Sequence, residues 1–376
     1  MRFHLLDPLR GMAALWVFTY HYTFSTAFRQ SFPFLHELFK QGDRGVPVFF
    51  VISGFCIMAT AKSLIRRAGP SRDFLVRRAL RIFPTYWASI LVVIAVPFTA
   101  GFLGMLKSGL YGLPHSGDEW RAPFHDFDFF EWIRYASLTQ VFYPFPDANA
   151  LSVKFTELNA VYWSLAIEFQ FYVVVAVALT RRQHFIGILA LITIISVPFV
   201  FWPASTIFGI FLPYWPMFVF GMLVYLLLEI GTSPQRMLGA RHRMLATVLV
   251  GAIGVLYAFT VLMALEVEPV VFAAFFAIAT WCLFALDDSF VNLLYGGFLP
   301  GRVLAAGCAA LGSMSYSLYL LHGRLQQLTT QFVRQILPMN SIAHDVGAIV
   351  LTCLLVYGFY VLFEAPFAAA SARRRG

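Results

Sequence analysis

Apolar runs long enough to cross a bilayer recur ten times along this 376-residue chain. About 17 to 25 residues of helix are needed to span roughly 30 Å of hydrocarbon. Candidates lie at about 9–28, 45–61, 82–104, 158–180, 184–202, 206–228, 244–264, 269–286, 303–322 and 343–363. Lipid offers no water to a bare peptide group, so each run must close its hydrogen bonds within itself as helix. The expected fold is an all-α integral membrane protein with about ten transmembrane helices. Composition agrees, with 60% of residues apolar and 12% charged, against about half and a quarter in a soluble domain. The second run is the weakest, being short and interrupted at Pro47, Ser53 and Gly54. The first is apolar enough for a signal peptide, but no convincing cleavage site follows it, and it reads as a mature helix.

The few charges set the orientation. With the N-terminus on the cytoplasmic side, 18 of the 27 Lys and Arg fall in inner segments, seven of them between Lys62 and Arg81. That bias places both termini in the cytoplasm. The net charge of +8 is then mostly topological, and with 41 Phe and 8 Trp in the chain no nucleic-acid partner is expected. Cys56, Cys282, Cys308 and Cys353 all sit in apolar runs, without a Cys-x-x-Cys pair or a His at ligand spacing. This argues against a disulfide framework and a metal site, and leaves them as small packing or lipid-facing residues. The chain reads as one transmembrane domain over 1–376. Its longest outer loop, about 105–157, mixes carboxylates with aromatics, among them Asp118, Glu119, Trp120, Glu131 and Trp132. Two readings of the loop stand: rings anchored at the headgroup level, and a lid or acceptor-binding surface.

Ionisable residues inside spanning helices cost about 2.5–3.5 kcal/mol each on insertion scales, which makes them functional candidates. His21 in the first helix and Glu168 midway along the fourth stand deep. His322, His344 and Glu364 lie near helix ends, where interfacial water is within reach. At a rise of about 1.5 Å per residue, His21 and Glu168 both fall in the middle to outer half of the bilayer and could meet in one cavity. A neutral His oriented by a carboxylate is the arrangement a general base needs. A buried pair that only pins two helices is the other reading, and residue types alone leave both open. Arg10 precedes His21 by 11 positions, so the two share a helix face about 16 Å apart along the axis. A long anionic donor such as an acyl-CoA could rest its phosphates on Arg10, whose planar donors bind oxyanions bidentately, and place its thioester near His21. Arg78 and Arg81, three apart on a predicted helix, face the same way and could clamp one phosphate group. Positive-inside anchoring is the plain alternative for Arg10.

These residues fall into an ordered set of short motifs. Leu6-Asp7-Pro8-Leu9-Arg10-Gly11, ending in His21, resembles the first-helix signature of the acyltransferase-3 family of integral-membrane O-acyltransferases. Gly45-Val46-Pro47-Val48-Phe49-Phe50-Val51-Ile52-Ser53-Gly54 is similar to its second motif, and Arg78-Ala79-Leu80-Arg81 to its Arg-x-x-Arg loop. Trp163-Ser164-Leu165-Ala166-Ile167-Glu168 resembles its Trp-Ser-Leu-x-x-Glu helix. Ser315-Tyr316-Ser317-Leu318-Tyr319-Leu320-Leu321-His322 and Phe363-Glu364-Ala365-Pro366 are similar to its two closing motifs. Two positions depart from the pattern. Pro8 replaces a Gly, and Pro47 replaces an Asp, so no catalytic role is carried to residue 47.

The resemblance implies transfer of an acyl group, acetyl foremost, from acyl-CoA as co-substrate to a hydroxyl of a carbohydrate or lipid-linked glycan. The setting it implies is a bacterial cytoplasmic (inner) membrane, with membrane lipid as the remaining partner and no bound cofactor. It makes His21 the leading catalytic residue with Glu168 in support, and Arg10, Arg78 and Arg81 the donor contacts. Asp7, Ser53, Trp163, Ser315, Tyr316, His322 and Glu364 are motif positions whose roles the sequence does not separate. Direct attack by the acceptor and a brief acyl-enzyme both fit. The chain resembles the stand-alone members rather than those with an appended soluble domain. A secondary transporter or exporter of a polar solute is the alternative, since buried charges and positive-inside loops suit it equally. Paired repeats with broken helices, common in transporters, are not found in the sequence.

Overall fold

The computed structural model describes residues 3–111, 127–142, 158–201, 209–231, 267–284, 287–295 and 299–373. Among these there is no strand. The helices are α1 (Leu6–His21), α2 (Thr26–Ser31), α3 (Pro33–Phe39), α4 (Gly45–Arg66), α5 (Ser71–Tyr111), α6 (Phe129–Ser137), α7 (Tyr162–Leu179) and α8 (Phe185–Val200). They continue with α9 (Trp215–Glu229), α10 (Glu268–Leu283), α11 (Asp287–Tyr295), α12 (Leu299–Ser313), α13 (Ser315–Val333), α14 (Ile342–Phe359) and α15 (Ala365–Arg373).

The protein is an all-α membrane protein. Among the described residues six helices are long and apolar enough to cross a bilayer, or seven if α12 and α13 count as one broken span. The expected spans at 9–28 and 269–286 are α1 and α10, each 16 residues, about 24 Å at helical rise. The run at 303–322 divides at Met314, where Ser313 turns its hydroxyl back to the carbonyl of Ala310, a bond that competes with helix continuation. The run at 244–264 lies outside the described residues, as do Asp118, Glu119 and Trp120 of the long loop. The start of that loop is helical, since α5 runs on to Tyr111. Pro8 and Pro47 both fall in the first turn of a helix, where the missing N–H has no partner to lose.

The chain divides into two compact units. The first comprises Met1–Val17, Asp43–Arg78 and Ile167–Ser315. Its core is the pairing of α4 with α9, which approach so closely that no side chain fits between them at Gly54 and Gly221: a Cβ at Gly54 would stand 2.0 Å from the Phe218 carbonyl oxygen, and one at Gly221 1.8 Å from that of Val51. A stack of rings fills the space beside this crossing, Phe50 on Phe218 at 4.7 Å between centroids and Phe171 on Trp215 at 5.3 Å. Lys62 and Arg66 close the far end of the pair on Glu229.

The second unit comprises Phe18–Gly42, Ala79–Ala166 and Tyr316–Gly376. Leu318, Leu320, Leu321 and His322 of α13 are fully buried in it. Thr329 of α13 and Thr352 of α14 share a hydrogen bond of 2.7 Å. On α5, Tyr86 donates to the Tyr135 carbonyl and Ser89 pairs with the Tyr162 hydroxyl. Further along the long loop, the described residues 127–142 hold α6, started by a reciprocal capping box between Asp128 and Glu131.

Candidate active site

His21 is the last residue of α1 and is exposed, whereas His322 is fully buried. Their rings meet, with Nδ1 of His21 3.2 Å from Nε2 of His322. The other nitrogen of His322, Nδ1, lies 3.1 Å from the Leu318 carbonyl. A carbonyl only accepts, so with both rings neutral Nδ1 of His322 carries the proton and its Nε2 offers a lone pair. His21 must then donate from Nδ1, which leaves its own Nε2 with a lone pair, the form a general base requires. Gln326, one turn beyond His322 on α13, donates its side-chain amide to the His21 carbonyl at 2.7 Å. One face of α13 therefore holds both the ring and the main chain of His21.

The closing motifs fix α13 itself. Glu364 accepts the backbone N–H of Ser317 at 3.0 Å and the Ser317 hydroxyl as well. Ser317 lies in the first turn of α13, where a carboxylate is favoured by the helix dipole. Glu364 ends a five-residue π turn, Tyr360–Glu364, in which the N–H of Ala365 reaches back to the Tyr360 carbonyl. Pro366 has no N–H for the carbonyl four residues before it, so the ordinary ladder cannot be kept there. Tyr316 donates to the Ile82 carbonyl at 3.2 Å. Ser164 pairs with the Tyr319 hydroxyl at 2.6 Å and Asn159 donates to the Leu320 carbonyl at 2.7 Å.

A second cluster lies in the first unit. Ser53, Cys56 and Thr60 stand at i, i+3 and i+7 on α4, one face of the helix. Ser53 and Tyr172 both donate to Oε1 of Glu168. Nη2 of Arg10 lies 3.6 Å from the sulfur of Cys56. Nη2 of Arg78 donates to the Cys56 carbonyl at 3.0 Å and to the Thr60 hydroxyl at 2.8 Å. The Arg78 guanidinium also faces the rings of Phe74 and Tyr172, 5.6 and 5.2 Å from their centroids, and the residue is only 7% exposed. Arg10, Arg78 and Glu168, three of the residues singled out in the sequence, thus share one network through α4.

The remaining positions are placed as follows. Arg81 follows Arg78 by three residues on α5 and is exposed; Trp163 is half-buried in the first turn of α7. Ser315 is buried at the first position of α13, and Asp7 is exposed, 3.7 Å from Arg10 one turn further along α1. Sequence reasoning missed Cys56, Thr60, Tyr172 and Gln326. Cys56 in particular reads as a packing residue, yet its sulfur receives Arg10 and its carbonyl Arg78. A signal was present: the Ser53-x-x-Cys56-x-x-x-Thr60 spacing is a polar stripe on an otherwise apolar helix.

The chain is thus a helical membrane protein that carries a hydrogen-bonded imidazole pair in one unit and, in the other, two guanidinium groups on Cys56. A family model described as an acyltransferase domain matches residues 3–361, and the chain belongs to that acyltransferase-3 family. "Putative peptidoglycan O-acetyltransferase YrhL" of Bacillus subtilis (strain 168) is 31% identical over 176 residues, 45% of this chain and 22% of that protein. Peptidoglycan O-acetyltransferase OatA of Listeria monocytogenes serovar 1/2a (strain ATCC BAA-679 / EGD-e) is 28% identical over 173 residues, 45% of this chain and 23% of that protein. The matched stretches span less than a quarter of either relative's length. No solved structure matches the chain.

Proposed function

We propose that this protein moves an acyl group, most simply acetyl, from acyl-CoA on the cytoplasmic side to a hydroxyl of a glycan at the outer face of a bacterial inner membrane, with both its termini in the cytoplasm. Peptidoglycan is the first acceptor to try, being the one named for both relatives. In this reading Arg10, Arg78 and Arg81 hold the donor's phosphates. Nε2 of His21 takes the proton of the acceptor hydroxyl, whose oxygen attacks the thioester carbonyl carbon. The carbon–sulfur bond breaks, and the leaving thiolate takes the proton back from His21. His322 is the partner that keeps the His21 lone pair outward. Glu168 supports the centre as its carboxylate, and through Ser53 and Tyr172 it also steadies the Arg78 side. The observation that carries the proposal is the contact chain from the Leu318 carbonyl through His322 to His21, which gives His21 the tautomer of a base when both rings are neutral.

Mass spectrometry of envelope glycans from cells with and without the protein tests it, paired with CoA release from acetyl-CoA in membranes. The expected result is one fixed acyl mass lost from one sugar, together with donor consumption. Unchanged glycans with intact acetyl-CoA would overturn it. Arg78→Lys keeps the charge but loses the planar fork. The KM for acetyl-CoA is expected to rise about tenfold, ~1.4 kcal/mol, with kcat nearly kept. Steady-state kinetics on the folded variant read this directly, and an unchanged KM would remove Arg78 from the donor site.

A further inference from the structure

His21 ends its helix, so its ring is only as well placed as the turn that follows it. That turn, Tyr22–Ser25, is not helical. Asp345, in the first turn of α14 and 1% exposed, holds it. Oδ2 of Asp345 accepts the backbone N–H of Ser25 at 3.1 Å and the Ser25 hydroxyl at 2.6 Å, and Oδ1 accepts the Tyr22 hydroxyl at 3.3 Å. The buried ring of His344 stands beside the same carboxylate, Nδ1 3.7 Å from Oδ1. A buried carboxylate is costly unless paired, and the hydrogen bonds to this one come from Ser25 and Tyr22. What Asp345 grips is the chain next to His21.

We propose that Asp345 is a positioning residue for His21. It fixes the Tyr22–Ser25 turn, so that with Gln326 on the His21 carbonyl the imidazole keeps its contact with His322. The inference rests on His21 being the base. Asp345 touches no reacting atom and acts on His21 through the Tyr22–Ser25 segment.

The test uses membranes of bacteria producing the full chain, with their own acceptor present and labelled acetyl-CoA as donor. Rates are normalised to folded protein, and kcat and KM are read separately for Asp345→Asn, Ser25→Ala, the double variant and His21→Ala. Asn cannot accept on both sides of its group, so Asp345→Asn is expected to lower kcat about ten- to hundredfold, the scale of a misplaced catalytic group, with the KM for acetyl-CoA held. Ser25→Ala should lower kcat less. The double variant should lose less than the product of the two single losses, since both remove the Ser25–Asp345 hydrogen bond, while Ser25→Ala also removes the N-cap of α2. Wild-type kcat in Asp345→Asn, a loss that appears in KM, or losses that simply multiply would overturn the proposal. Should Asp345→Asn fail to fold, Ser25→Ala and Tyr22→Phe carry the same kcat-against-KM test. His21→Ala separates the two failures. If it stays active, the base assignment falls; if it is dead while Asp345→Asn is normal, only the role of Asp345 falls.

Discussion

Replacing His21 with Ala is expected to lower acyl transfer by about 10²- to 10⁴-fold, the range a positioned general base contributes, and to leave the protein folded. The fold should survive because the His21 ring is exposed, so its removal opens no buried cavity. The tether from Gln326 reaches the main-chain carbonyl, which Ala retains. Catalysis should not survive, because the lone pair set up by His322 belongs to that ring alone. Labelled acetyl incorporation in membranes, normalised to folded protein, measures the loss. Transfer at the wild-type rate in folded His21→Ala would show the base to be some other group.

Gly54→Val is expected to leave no folded protein. A Cβ there would meet the carbonyl oxygen, carbonyl carbon and Cα of Phe218 at 2.0, 2.8 and 3.0 Å. These are backbone atoms, so no rotamer change can relieve the clash. Overpacking usually costs about 1–3 kcal/mol when side chains can give way; here α4 must separate from α9 as a whole. Separation would break the Phe50–Phe218 stack and carry Ser53, Cys56 and Thr60 away from Glu168, Arg10 and Arg78. Detergent extraction followed by size-exclusion chromatography measures the outcome. Gly187→Val on α8 is the control, since its Cβ would meet nothing within 4 Å. Equal yields of the two variants would refute the close approach.

Apolar length alone made the helical membrane fold legible, and the ordered motifs made the acyltransferase family legible. The helix ends were not. A hydropathy run at 9–28 passes straight through His21, because it averages over residues and cannot register that Asp345, 320 positions from Ser25, pins a turn there. The break at Met314 is hidden for the same reason, lying inside one continuous apolar run. Arg10, Arg78 and Glu168 stood out because charge is rare in such a chain. Cys56, which both arginines touch, did not, since sulfur is a weak acceptor and carries no charge to notice. His322 was visible as a polar residue near a helix end and as a motif position without a role. Its use depends on a ring 301 positions away, and on a carbonyl of its own helix that fixes which nitrogen is protonated.

The hydrogen-bonded histidine pair has an energetic consequence. On the proposed mechanism the proton taken up at Nε2 of His21 returns from the same atom to the departing thiolate, while Nδ1 stays bonded to His322 throughout. Each turnover therefore begins and ends with the same protons on the protein: the one given up by the acceptor hydroxyl leaves on the thiol of CoA, and none is exchanged with the water on either side. Unlike a proton-coupled carrier, such an enzyme is indifferent to the electrochemical gradient across the bilayer, and the free energy of the thioester alone drives the acyl group outward.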